Sequence, residues 1–120
     1  MTFTRATEAL DHYAEQLAQL KGITTLGTMA QKAKQLQSFF DRELWPIVTQ
    51  LELPQQQSQW HSATTELHRH MRLLAVEISF IQAARQEHTR QQRLEQIEHR
   101  LGQLQGFTQV MVAFLSDLQP

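Results

Sequence analysis

The chain has 120 residues, a net charge of −1 and no cysteine. This length fits one domain, and the lack of cysteine excludes disulfides, thiol catalysis, Fe–S clusters and Cys-type zinc sites together. With 41% hydrophobic and 19% charged residues the composition is that of an ordinary globular chain, and the near-neutral balance argues against a general binder of nucleic acid or anionic membranes.

Apolar residues recur at a spacing of three or four in four blocks, the mark of amphipathic helices. The first block is Phe3, Ala6, Leu10, Tyr13, Leu17 and Leu20, closed by Lys21 and a glycine stop at Gly22. The second follows Gly27 and runs through Met29, Ala33, Leu36, Phe40, Leu44, Ile47 and Leu51 to Leu53-Pro54. Pro46 lies inside it, so a kink or restart is expected there, because proline lacks an N–H and clashes with the preceding turn. The third block is Trp60, Thr64, Leu67, Met71, Leu74, Ile78 and Ile81; the fourth is Leu94, Ile97, Leu101, Leu104, Thr108, Met111, Leu115 and Leu118. No glycine or proline separates these two. Continuing the third repeat lands on Arg85, His88, Gln92 and Glu95, all polar, and the fourth block restarts out of phase. Thr89 with Gln92 also fits a capping box, which places a turn near residues 85–90; one bent helix over 58–118 is the alternative.

These blocks predict an all-α, antiparallel up-down four-helix bundle with a long C-terminal helical hairpin, its helices at about 3–21, 28–52, 58–86 and 90–118. The last two helices are much longer than the first, so part of the hairpin is expected to project or to meet a partner. A single domain of this size exposes roughly 6,700 Å² when compact. From Leu73 to Ala84 the third helix carries a second apolar face, Leu73, Val76 and Phe80, expected to be covered by the first two helices. The C-terminal half of the fourth is similarly broad, with Phe107, Val110 and Phe114. Glutamine is abundant, 19 residues including Gln55-Gln56-Gln57, and its scatter through periodic segments reads as solvated helix surface.

Chemistry is sparse. Glu8/His12, Glu66/His70 and Glu95/His99 are spaced i,i+4, close enough to share an ion. No glutamate, however, has a histidine three residues later, as a di-iron bundle needs, and His70 and His99 flank the seam, so solvent-facing histidines are expected. No strand–turn–helix elbow carries a serine and no glycine-rich loop precedes Lys-Ser/Thr. The expectation is therefore no enzyme, no catalytic residue, no cofactor and no dedicated metal. No run approaches the ~20 apolar residues of a membrane span, and no basic segment leads into an apolar stretch at the N-terminus, so neither membrane insertion nor a signal peptide is expected. Gly102 and Gly106, four apart on the outer face of the last helix, read either as a groove for another helix or as tolerated weak points. Arginine makes up 8 of the 11 basic residues. Arg69, Arg72, Arg85, Arg90, Arg93 and Arg100 fall in the last two helices, where they either pair with neighbouring glutamates or offer an acidic partner a surface.

His68-Arg69-His70-Met71-Arg72-Leu73-Leu74, Phe80-Ile81-Gln82-Ala83-Ala84-Arg85-Gln86, Arg93-Leu94-Glu95-Gln96-Ile97 and Arg100-Leu101, with Leu36-Gln37-Ser38-Phe39-Phe40 and Trp45-Pro46 before them, resemble the cyanobacterial heterocyst frequency control protein (PatD) family. The resemblance covers most of the chain from about residue 30, and Gln82–Gln86 is its most specific part. It implies a small cytoplasmic regulator that binds the division protein FtsZ, modulates its polymer assembly and limits cell differentiation. The family supplies no contact residues; the candidate partner surface read from this sequence is Arg69, Arg72, Gln82, Arg85, Gln86, Arg90 and Arg93. Two other readings stand beside it: a bundle that binds a metal or small ligand through histidines, and a structural homodimer that buries Leu73, Val76 and Phe80.

Overall fold

A computed structural model describes residues 3–118, all-helical with no strand among them. The chain forms four helical rods. The first is α1 (Thr4–Leu20). The second is α2 (Leu26–Phe39), which continues through a π-helical turn (Phe40–Leu44) into α3 (Trp45–Gln50); α4 (Gln57–Ala83) and α5 (Glu87–Leu118) are the third and fourth. Each rod packs on two others: α1 on α5 and α2, α4 on α5 and α2.

The first and third blocks bury in full, from Phe3 to Leu20 and from Trp60 to Ile81. Beyond α1 the chain turns at Gly22, whose φ of 88° lies in the left-handed region that a side chain disfavours. The core joins Leu10, Tyr13 and Leu17 to Leu36, Phe40 and Leu44 of the second rod, Leu67 and Met71 of α4, and Leu101, Leu104 and Leu115 of α5. Burial of each such side chain contributes about 1.5–3 kcal/mol. Thr64 and Thr108 are buried within the same seam, and each satisfies its hydroxyl on its own helix, by donating to the His61 carbonyl at 3.0 Å and the Leu104 carbonyl at 2.7 Å.

Pro46 does not break the second rod. The irregularity falls one turn earlier, where the Trp45 N–H donates to the Phe40 carbonyl and so spans five residues instead of four. This widened turn adds one residue to the repeat and accommodates the proline. It also corrects the expected register: Val48 is fully buried, and Ile47 and Leu51 are only half-buried.

The break between α4 and α5 falls at Ala84–Gln86, and the chain folds back there. Trp60 stacks on Phe114, His70 lies against Phe107, Glu77 binds Arg100, and Arg93 covers Phe80. On one continuous helix Glu77 and Arg100 would be ~35 Å apart, which excludes the bent-helix alternative. The expected capping box is also corrected. The Arg90 N–H already bonds the Gln86 carbonyl at 3.0 Å, so Thr89 lies inside the first turn of α5.

A second expectation is overturned. Val76 and Phe80 are 47% and 50% exposed, and Leu73 is half-buried. The second rod meets α4 on a different side, where Ala30 and Ala33 face Leu74 and Ile78, and α1 does not pack on α4 among the described residues. The protein measures 53 × 21 × 19 Å and exposes 7,421 Å², more than the roughly 6,700 Å² of a compact chain of its mass.

Candidate interaction surface

The excess length is the end of the hairpin. Ile81 and Ile97 are the last buried residues on the two helices, and none of residues 84–96 is buried. Leu94, half-buried, packs on the edge of the core there. Five of the seven candidate residues gather at this end. Gln82, Arg85 and Gln86 are exposed on or beside the turn, with Arg90 and Arg93 half-buried on the first two turns of α5. Arg90 reaches Glu87 at 3.5 Å, and its Nε is buried with no hydrogen-bond partner. Arg93 lies 5.1 Å from the centroid of Phe80, a cation–π contact, and donates to Gln96 Oε1 at 3.4 Å. Arg85 makes no side-chain hydrogen bond or ion pair among the described residues.

Arg69 and Arg72 are not part of this group. Both are exposed on the middle of α4, ~15 Å or more along the helix from Gln82. Arg69 pairs with Glu66 at 3.4 Å, in an exposed i,i+3 contact worth little.

Arg100, counted with the others in the sequence, is instead an inward residue. Its side chain is 18% exposed, and its Nε and Nη2 donate to the two carboxylate oxygens of Glu77 at 2.9 and 3.2 Å. This bidentate pair fastens α4 to α5 where the covered part of the bundle gives way to the free end.

The histidines differ from expectation as well. His70 is 6% exposed rather than solvent-facing, because α5 lays Phe107 across it at 4.9 Å and Arg100 beside it. Burial, then the Arg100 and Arg69 cations, hold its pKa below the ordinary histidine range, with Glu66 acting against them. His68 is half-buried against Trp45, and His12 sets its ring against Phe39. Of the i,i+4 pairs, Glu66 and His70 approach to 3.6 Å; no group of three or more metal-ligating side chains converges among the described residues.

The grooves are shallow. One runs between α2 and α4, lined by Ala30, Ala33, Leu74 and Ile78 with Lys34 and Gln82 at its rim. Another follows the outer side of α5 near the turn, along Gln92, Arg93, Gln96 and His99. Around Gly102 and Gly106 an added Cβ would meet nothing within 4 Å. Val110, 64% exposed, continues this outer face.

Over residues 47–105, from α3 through α4 and the turn into α5, the chain is similar to the CRR41 C-terminal domain. No curated protein and no solved structure matches the chain.

Proposed function

We propose that the chain is a non-enzymatic cytoplasmic regulator that binds FtsZ and modulates its polymer assembly, linked to heterocyst frequency in filamentous cyanobacteria. It works through the free end of its C-terminal hairpin. In this reading the four rods form an antiparallel up-down bundle whose closed core serves as a scaffold. The observation that carries the choice of surface is the run of residues 84–96, none of them buried, with Arg85, Arg90 and Arg93 on it. Arginine suits such a surface because its planar fork pairs with carboxylates and its flat face packs on apolar rings. The PatD resemblance supplies the partner. The similarity to the CRR41 C-terminal domain names none.

The surface is tested with charge reversals. Arg85→Glu, the exposed and unpaired position, is expected to weaken binding to FtsZ polymers about tenfold, corresponding to one lost charge-assisted contact of about 1.4 kcal/mol. Helicity stays unchanged, and binding falls as salt rises. Unaltered binding by Arg85→Glu, Arg90→Glu and Arg93→Glu combined would remove the hairpin end as the surface.

Val76 and Phe80, at 47% and 50% exposure, favour a second reading as a homodimer that buries Leu73, Val76 and Phe80. A strictly monomeric mass in solution ends that reading and leaves the first intact.

A further inference from the structure

Arg100 crosses from α5 to α4 and is held on three sides. Beyond its two bonds to Glu77, its Nη1 donates to Gln103 Oε1 at 3.1 Å and to His70 Nδ1 at 2.7 Å. A guanidinium has no acceptor and keeps its proton at every working pH, so each of these contacts is a donation. His70 Nδ1 must therefore carry a lone pair. The ring proton sits on Nε2, which faces Glu66 Oε2 at 3.6 Å. The partner across the interface thus selects both the tautomer and the charge of this imidazole. A proton added at Nδ1 would set N–H against N–H at this contact and place two cations side by side. Glu77 anchors Arg100 at two points, so the imidazole is the side that gives way.

We propose that His70 is an acid-sensitive latch between α4 and α5. Neutral, it accepts Arg100 and closes the middle of the hairpin; protonated, it releases Arg100 and loosens the junction that supports the free end. The charged groups around it are Glu66, Arg69 and, through Arg100, Glu77 on α4, and Arg100 on α5. The second rod meets other residues of α4, with Trp45 on His68 and Ala33 beside Leu74. The linkage has a definite sign. In the unfolded chain the histidine takes its proton near pH 6.5, whereas the folded protein resists until lower pH. Stability from this group is complete above the unfolded value and is lost as pH falls below it, down to the folded value. The latch operates on the protein alone and does not depend on the identity of any partner.

Two measurements test it on the full chain. Histidine-ring ¹H–¹⁵N correlation spectra near neutral pH are expected to show His70 with a bare Nδ1 and a protonated Nε2, titrating below the ordinary histidine range. Denaturant unfolding at about pH 7.5 and about pH 5.5 then compares the wild type with His70→Asn, whose amide oxygen can accept Arg100 but does not titrate. The wild type is expected to lose up to about tenfold more in folding equilibrium for each pH unit between the two pKa values. A proton on Nδ1, titration of His70 at or above the ordinary histidine range, or equal pH dependence of the two proteins would overturn the latch. The spectra decide the matter on the wild type alone if the variant does not fold.

Discussion

At the C-terminal end of α3 the last carbonyls lack intrahelical donors, and the indole of Trp60 supplies one, donating to the Val48 carbonyl at 2.7 Å. Gln57 does related work in the same connection by accepting the Leu53 N–H at 3.0 Å, so the glutamine cluster there is partly structural. Tyr13 is the opposite case. It is fully buried beside Phe40, its hydroxyl has no protein partner, and burial holds its pKa far above the ordinary phenol range. A buried, unbonded hydroxyl costs about 1–3 kcal/mol, so Tyr13→Phe is expected to raise stability by about 1 kcal/mol in denaturant unfolding. A loss of that size would show that the hydroxyl is bonded. Tyr13 was legible as a core position from its spacing with Leu10 and Leu17; its bare hydroxyl was not. The same limit hid the His70–Arg100–Glu77 contact. Periodicity places a residue on the flank of its own helix but does not say which residue of the next helix lies opposite.

Among the elements, α4 was the most legible, because its 3–4 repeat runs from Trp60 to Ile81 without glycine or proline. The second rod was readable only as far as Leu44. Beyond it, one additional residue in the π turn moves burial from Ile47 to Val48, and a proline rule that expects a break does not foresee a widened turn over Phe40–Leu44, one turn before Pro46. Thr89 and Gln92 mimic a cap, and α5 starts at Glu87, three residues before the start they indicate. Gly102 and Gly106 give a prediction at this scale. They occupy a helix interior with open space where a side chain would go, so Gly102→Ala and Gly106→Ala are each expected to stabilise the protein by about 0.5–1 kcal/mol. If either substitution instead lowers the melting temperature, something packs closely on that stripe.

For the molecule as a whole, unequal helix lengths already implied that part of the hairpin would outrun the first helix. The 53 Å long axis and the unburied run over residues 84–96 bear this out. Sequence did not reveal that the Leu73, Val76 and Phe80 face would stay uncovered. An apolar stripe demands cover without naming its source; the second rod meets α4 on another side, and α1 does not pack on α4 among the described residues. The exposed ring of Phe80 is partly shielded by Arg93, so this arginine both protects the apolar end and is available to a carboxylate. Binding through such a surface combines a modest apolar contact with charge-assisted bonds, which ties affinity to salt.

Sedimentation decides whether the proposed binding to FtsZ occurs. FtsZ from the same organism is polymerised with GTP and pelleted across a titration of the full chain. Saturable co-pelleting, or a dose-dependent change in polymer mass, is expected, diminished by Arg85→Glu and reduced by high salt. If the chain stays in the supernatant at every concentration and polymer mass does not change, the proposed function is wrong.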